Sequence, residues 1–127
     1  MLLDTHVFLW LQTTPERLGV HLGLIENGDT ELFVSAATSW EIAIKYGLGR
    51  LPLPEPPAMY VPDRIRAIGA RSVTIEHTHA LAVAELPPIH RDPFDRMLVA
   101  QAAALGVQLM TADPVVASYP GDSVLVP

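Results

Sequence analysis

Residues 90–116, HRDPFDRMLVAQAAALGVQLMTADPVV, contain the clearest structural signals in the chain. Asp92 and Pro93 open a helix that Gly106 closes, because proline is tolerated at the first helical position and glycine is favoured just after the last. The apolar run at 107–111 then predicts a buried strand, and Asp113 with Pro114 opens another short helix. A helix, a strand and a helix in such close succession indicate an α/β fold.

The rest of the chain repeats this alternation. Strands are predicted at residues 1–4, 32–35, 72–75 and, at an edge of the sheet, 123–126. Helices are predicted at 5–11, from 14–15 to 27–28, from about 38 to 47, after a proline-rich connection at 51–62 to about 69, and at 79–86. This order predicts a mostly parallel central sheet of four to five strands with helices on both faces, and ligands beyond the carboxyl ends of the strands.

Size and composition fit one domain over residues 1–127. Half of the residues are hydrophobic, yet no apolar run is long enough to predict a membrane span, so we expect the excess apolar surface to meet a second copy or a partner. The absence of cysteine excludes thiol nucleophiles and thiolate zinc sites and fits a reducing cytoplasm. The amino-terminal residues lack the pattern of a signal peptide.

The formal net charge of −6 argues against nucleic-acid binding, which usually draws on a basic surface. The objection weakens if several of the 14 acidic residues converge on one site, since divalent cations held there would themselves bind phosphate.

Four acidic residues are placed for such convergence. Asp4 and Asp113 follow predicted strands, Glu41 lies just after a third, and Asp95 lies near the start of the clearest helix. Because the architecture brings strand ends and helix starts to one rim, we expect the four carboxylates to meet there. Oxygen ligands without a histidine or cysteine cage are what Mg²⁺ prefers.

Most of these acids also have a structural explanation. Asp4, Asp92 and Asp113 each precede a predicted helix, where an aspartate accepts hydrogen bonds from the first free amides. Glu41 and Lys45 are four residues apart on a helix and can form a surface ion pair.

Asp95 fits a structural explanation least well. At helical spacing it shares a face with Leu98, Val99 and Ala102, which is the face that should be buried. A buried carboxylate without a partner is unfavourable, and a metal ion removes that penalty. A role in a capping box with Asp92 is the alternative.

Four segments together resemble the VapC-type PIN domains, which are ribonuclease toxins of type II toxin–antitoxin systems. They are LLDTHVFLW at 2–10, SAATSWEIAIKYGLGRL at 35–51, HRDPFDRMLVAQA at 90–102 and LMTADPVV at 109–116. The resemblance implies a PIN fold, an endoribonuclease that depends on Mg²⁺ with Mn²⁺ as a substitute, an RNA substrate and a VapB-like antitoxin. Independently of the resemblance, the excess apolar surface predicts a homodimer, a bound peptide or both, and the lack of cysteine fits a cytoplasmic location.

The resemblance also assigns residues. Asp4, Glu41, Asp95 and Asp113 would be the catalytic and metal-binding quartet, and Asp92 a less secure fifth acid. Two hydroxyls, those of Thr5 and Thr111, would support the acids. His6 departs from the family, in which asparagine or serine is common at that position.

The remaining polar residues allow more than one interpretation. Lys45, Arg50, Arg91 and Arg96 lie near the acids in sequence and could hold RNA phosphates or simply be solvated. His77, His79 and His90 are interpreted as ordinary or helix-start histidines rather than a zinc site.

Two other functions stay open. One is a phosphotransfer enzyme with Asp4 as nucleophile, although such enzymes usually have a second aspartate where His6 stands. The other is a catalytically silent PIN-fold interaction module.

Overall fold

The central sheet is entirely parallel. A computed structural model describes residues 1–126. Its strands are β1 (Leu2–Leu3), β2 (Phe33–Ser35), β3 (Arg71–Val73), β4 (Leu109–Thr111) and β5 (Ser123–Leu125), in the spatial order β3-β2-β1-β4-β5. Each neighbouring pair is parallel, and β5 forms an edge. The predicted α/β architecture is confirmed.

Helices connect these strands. The α-helices are α1 (Thr5–Thr13), α2 (Leu22–Glu26), α3 (Ala36–Gly47), α4 (Pro57–Ala67), α5 (His77–Ala82), α6 (Pro93–Leu105) and α7 (Pro114–Ala117), and 3₁₀-helices span Pro15–His21 and Val83–Glu85. Gly106 ends α6 with φ of 67°, as the sequence predicted. Within residues 1–126, no helix combines the length and apolar character needed to cross a membrane.

The core lies on both faces of the sheet because successive residues of a strand point in opposite directions. Leu3 and Met110 pack with Phe8 of α1 in one cluster, whereas Leu2 and Leu109 pack with α6 residues in the other. All five of these side chains are almost fully buried. The fully buried strands β1 and β4 therefore form the centre of the fold, and their carboxyl ends are fixed by packing from both sides.

The helix predicted between residues 14–15 and 27–28 is wrong as a single element. Gly19 has φ of 57° and ψ of −135°, which no helix contains, so the segment divides into a 3₁₀-helix and α2. Leu18 and Ile25 are both buried in the same core cluster, one from each piece. The break therefore lets two short helices pack separately where the sequence pattern suggested one long helix.

The proline-rich connection is also shorter than predicted, because α4 begins at Pro57 and contains Pro62. Proline inside a helix has no N–H for the carbonyl four residues earlier, here that of Ala58. Ala58 is exposed, so its carbonyl can meet water. Tyr60 and Val61 are buried beside this position, and their packing offsets the lost hydrogen bond.

Candidate functional site

An open cleft lies at the carboxyl ends of β1 and β4. Three of the predicted acids line it, Asp4, Asp95 and Asp113, together with His6 and Trp10. Since β1 and β4 are paired in parallel, the residues that follow them necessarily emerge side by side. Acids that are distant in sequence therefore face one cleft, at the sheet edge where ligands are expected in such folds.

Asp4 both caps a helix and faces the cleft. It is 3% exposed, and its Oδ1 accepts the Val7 amide at 2.8 Å, which caps α1. Burial raises the pKa of this carboxyl, and a hydrogen bond with the Thr111 side chain opposes the shift. Capping and a functional role are thus compatible, because capping uses one oxygen.

The same division of oxygens occurs at Asp113. Its Oδ1 accepts the Val115 amide at 2.8 Å and caps α7, while its Oδ2 points toward His90. The Asp113 amide in turn donates to Thr111 Oγ1 at 3.0 Å. Thr111 therefore contacts both Asp4 and Asp113.

Asp92 lies at the amino terminus of α6. Its Oδ1 accepts the amides of Phe94 at 2.8 Å and Asp95 at 3.2 Å. Asp92 does not line the cleft with Asp4, Asp95 and Asp113. The helix-cap interpretation therefore accounts for its geometry.

Glu41 is buried and is not among the acids that line the cleft. It is 3% exposed, its Oε1 accepts the Thr5 hydroxyl at 2.6 Å, and its Oε2 forms an ion pair with Lys45 at 2.6 Å. Thr5 thus donates to an acid of the predicted quartet. Lys45 pairs with Glu41, and its side chain stays 40% exposed.

Asp95 is a partly buried acid whose pKa is raised by its surroundings. Burial raises its pKa to about 7, with further upward contributions from Asp92, Glu41 and Asp4 and an opposing one from His90. The apolar stripe that placed Asp95 toward the interior is confirmed, since Leu98, Val99 and Ala102 are all buried. Asp92, Glu41 and Asp4 are therefore close enough to Asp95 to repel its negative charge.

His90 belongs to this site although the sequence suggested an ordinary histidine. Its Nε2 lies 3.1 Å from Asp113 Oδ2 and 3.3 Å from Asp95 Oδ2. In the part of the chain that is described, these three residues form the one group whose atoms could hold a metal ion together, all within 4.8 Å of one another. The sequence signal that could have identified His90 was its position as the first residue of the HRDPFDRMLVAQA segment.

Arg96, which the sequence left open as a phosphate contact or a solvated charge, is half-buried and is not among the residues that line the cleft. Its Nη1 donates to the Pro87 carbonyl at 2.9 Å and to the Tyr119 hydroxyl at 3.1 Å, and its Nη2 donates to the Val83 carbonyl at 3.0 Å. A half-buried guanidinium is favourable here because these acceptors bind it. Arg96 therefore fixes the loop that precedes α6. Arg50 and Arg91 are exposed.

His77 and His79, the other two histidines that were weighed as zinc ligands, do not line the cleft. His79 is buried, and its Nδ1 accepts the Glu76 amide at 3.1 Å in a capping box at the start of α5. His77 is the exposed first residue of the same helix. Both fit their predicted interpretation as ordinary histidines.

The donor set of the cleft fits a hard divalent cation. Carboxylate oxygens dominate, and the helix caps at Asp4 and Asp113 each use a single oxygen. Burial raises the pKa of Asp95, and repulsion from neighbouring acids adds to the shift, so the ionised carboxylate is unfavourable in the protein alone. A cation such as Mg²⁺ or Mn²⁺ would relieve that repulsion.

Comparison with known proteins gives the family. The PIN domain model matches residues 1–121. Ribonuclease VapC16 of Mycobacterium tuberculosis is 46% identical over 56 residues, which cover 44% of this chain and 40% of that relative's length. The match thus involves less than half of either protein.

Solved structures share the fold at low sequence identity. The crystal structure of VapBC2 from Rickettsia felis bound to a promoter DNA fragment matches with a TM-score of 0.74 and 13% identity over 99% of this chain and 98% of that one. A toxin–antitoxin complex from Klebsiella pneumoniae matches with a TM-score of 0.63 and 13% identity over 97% and 94% of the two chains. The family that the sequence motifs indicated is confirmed by the match over almost the whole chain: this protein belongs to the PIN domain family.

Proposed function

We propose that this protein is an endoribonuclease that depends on Mg²⁺, with Mn²⁺ as a substitute, and that it is the toxin of a VapBC-like pair. The observation that carries the proposal is the convergence of Asp4, Asp95 and Asp113 in one cleft, with Asp95 pushed to a pKa of about 7 by burial and neighbouring acids. The name of the mycobacterial relative, a ribonuclease, supports the reaction class.

Within this proposal each residue has a defined task. Asp4, Glu41, Asp95 and Asp113 would hold the cation, which would supply polarisation of the RNA phosphate and activation of a water molecule. The helix caps fix the first and last of these carboxylates by one oxygen each. Thr5 orients Glu41 through its hydroxyl.

RNA binding by so acidic a protein should depend on the cation. Lys45 is paired with Glu41 and Arg96 is bound to carbonyls, so both cations already have partners within the protein. Exposed Arg50 and Arg91 are the remaining candidates among the predicted basic residues. We therefore expect most phosphate attraction at the cleft to come from bound divalent ions.

A VapB-like antitoxin and a second copy of the chain are the proposed partners. Support comes from α3, where Trp40, Ile44 and Leu48 recur every four residues and are 60%, 39% and 61% exposed. Such spacing puts them along one side of the helix. Two solved structures of similar fold are toxin–antitoxin assemblies.

The proposed activity is tested by incubating the purified protein with total RNA and Mg²⁺ or Mn²⁺. We expect discrete cuts that chelation and Asp4→Asn both abolish, because each removes the cation or a ligand. Asp63→Asn is the matched control, since Asp63 is an exposed acid on α4 that pairs with Arg66. Expression of the intact chain in bacteria should arrest growth, and expression of Asp4→Asn should not.

Two outcomes would contradict this proposal. Cuts that persist in Asp4→Asn or with chelator would mean different chemistry or a contaminating nuclease. Full Mg²⁺ binding without any cleavage would favour the silent interaction module.

Mg²⁺ should raise the thermal stability of the protein more strongly at high pH than at low pH. Because the folded pKa of Asp95 is raised from 3.8 to about 7, its protonated form stabilises the metal-free protein below pH ~4, and this contribution is lost as pH rises through about 7. Mg²⁺ competes with that proton. We expect the Mg²⁺-induced rise in Tm to be several degrees larger at about pH 8 than at about pH 6.

Differential scanning fluorimetry with and without Mg²⁺ measures this effect. Asp95→Asn should remove most of the pH dependence, whereas Asp63→Asn should preserve it. An equal rise in Tm at both pH values in the intact protein would show that Asp95 does not bind the ion.

A further inference from the structure

The loop that carries His90 into the cleft is unusually well fixed. The His90 amide donates to the Tyr119 hydroxyl at 2.7 Å, and the same hydroxyl accepts from Arg96 at 3.1 Å. Arg96 also binds the Pro87 carbonyl three residues before His90. The imidazole is therefore held from its backbone, by contacts outside the acidic cluster.

The hydrogen bonds of the ring determine its tautomer. His90 Nδ1 lies 3.0 Å from the Asp92 amide nitrogen, which can only donate. Nδ1 must then be the acceptor in this contact, which places the ring proton on Nε2.

It follows that Nε2–H donates to Asp113 Oδ2 and also lies close to an oxygen of Asp95. Asp113 Oδ2 lies 3.1 Å and Asp95 Oδ2 3.3 Å from the same nitrogen. A nitrogen that bears a proton has no free lone pair for a metal, although its position alone would suggest a ligand. In this arrangement His90 holds the two acids and does not act as a third ligand.

We propose that His90 is a positioning residue that forms a bridge between Asp95 and Asp113: its Nε2–H is hydrogen-bonded to Asp113 Oδ2 and lies 3.3 Å from Asp95 Oδ2, which keeps the two carboxylates together ahead of cation binding. This inference deepens the proposed function, since it assumes that the two acids receive the cation. Without the bridge, two crowded negative groups would move apart. Partners that orient metal ligands typically change affinity by about 10–100-fold when removed.

Two substitutions of His90 test the roles of its two ring nitrogens separately. His90→Asn keeps an acceptor near Nδ1 for the Asp92 amide but does not extend to the carboxylates. His90→Gln places an amide N–H near the position of Nε2 but loses the Nδ1 acceptor. Calorimetric titration with Mg²⁺ should show about 10–100-fold weaker binding for His90→Asn and a loss of only a few-fold for His90→Gln. Circular dichroism confirms that both variants are folded.

A spectroscopic measurement on the metal-free protein is independent of cation binding. The ¹⁵N resonances of the His90 ring should show a protonated Nε2 and an unprotonated Nδ1. A proton on Nδ1 would overturn the proposal. So would equal losses of affinity in both variants, a greater loss in His90→Gln, or nitrogen coupling from the imidazole in the EPR spectrum of the Mn²⁺ complex of the intact protein, which would make His90 a ligand.

The two proposals can fail separately. If the intact protein binds Mg²⁺ with the predicted order of the variants but cleaves no RNA, only the ribonuclease is wrong. If it cleaves RNA while His90→Asn binds Mg²⁺ as tightly as the intact chain, only the positioning role is wrong.

Discussion

Asp95→Asn should lower kcat/KM for RNA cleavage by about 10³-fold or more and should also make the metal-free protein more stable. The loss of activity follows because an amide oxygen is a poorer ligand for Mg²⁺ than a carboxylate, so the cation is bound weakly or in the wrong place. A 10³-fold loss corresponds to about 4 kcal/mol of transition-state stabilisation.

The gain in stability of the metal-free protein comes from removing the negative charge of Asp95. At about pH 8 the Asp95 carboxylate is ionised against burial and against repulsion from Asp92, Glu41 and Asp4. Asparagine has nearly the same shape and no charge, so the metal-free Tm should rise by roughly 2–5 °C. With saturating Mg²⁺ the advantage should disappear, because the intact protein gains binding energy that the variant lacks.

Thermal unfolding with and without Mg²⁺, together with cleavage of a defined RNA, measures both effects. Asp63→Asn should change neither. A metal-free Tm that falls by several degrees in Asp95→Asn would show that the carboxylate makes a net stabilising contact, and its crowding would then not be evidence for a cation site.

The sequence was sufficient to predict the sheet and the position of Asp95. Both depend on periodicity: apolar runs of a few residues predicted buried strands, and the spacing from Asp95 to Leu98, Val99 and Ala102 put its carboxylate on a buried face. Parallel pairing of β1 with β4 then brings Asp4 and Asp113 together without any further information.

Other features depended on contacts that no local pattern contains. The Arg96 side chain looked like a phosphate ligand, but its acceptors are the carbonyls of Val83 and Pro87 and the hydroxyl of Tyr119. His90 enters the site because that same hydroxyl holds its backbone. Tertiary hydrogen bonds of this kind join residues that are distant in the chain, so the sequence alone could not assign them.

Gln101 illustrates the same limit and predicts the largest loss of stability. It lies on the buried side of α6, where the pattern would accept leucine, yet it is fully buried and bound to three groups. Its Oε1 accepts the Ser35 hydroxyl, and its Nε2 donates to the Thr74 carbonyl at 3.2 Å and lies 3.3 Å from His79 Nδ1. Ser35 Oγ also accepts the Ala37 amide and so caps α3.

Gln101→Leu should therefore destabilise the protein by about 3 kcal/mol, because the change preserves volume but leaves buried polar groups without partners. This corresponds to a Tm lower by roughly 10 °C. Gln108→Leu is the matched control: Gln108 bonds Asp122 at the surface, so its loss should cost less than about 1 kcal/mol. Urea unfolding of both variants measures the difference. Similar values would mean that the buried amide contributes no more than a surface one, and that hydrophobic packing alone holds α6, which bears Asp95, against the start of α3, which bears Glu41.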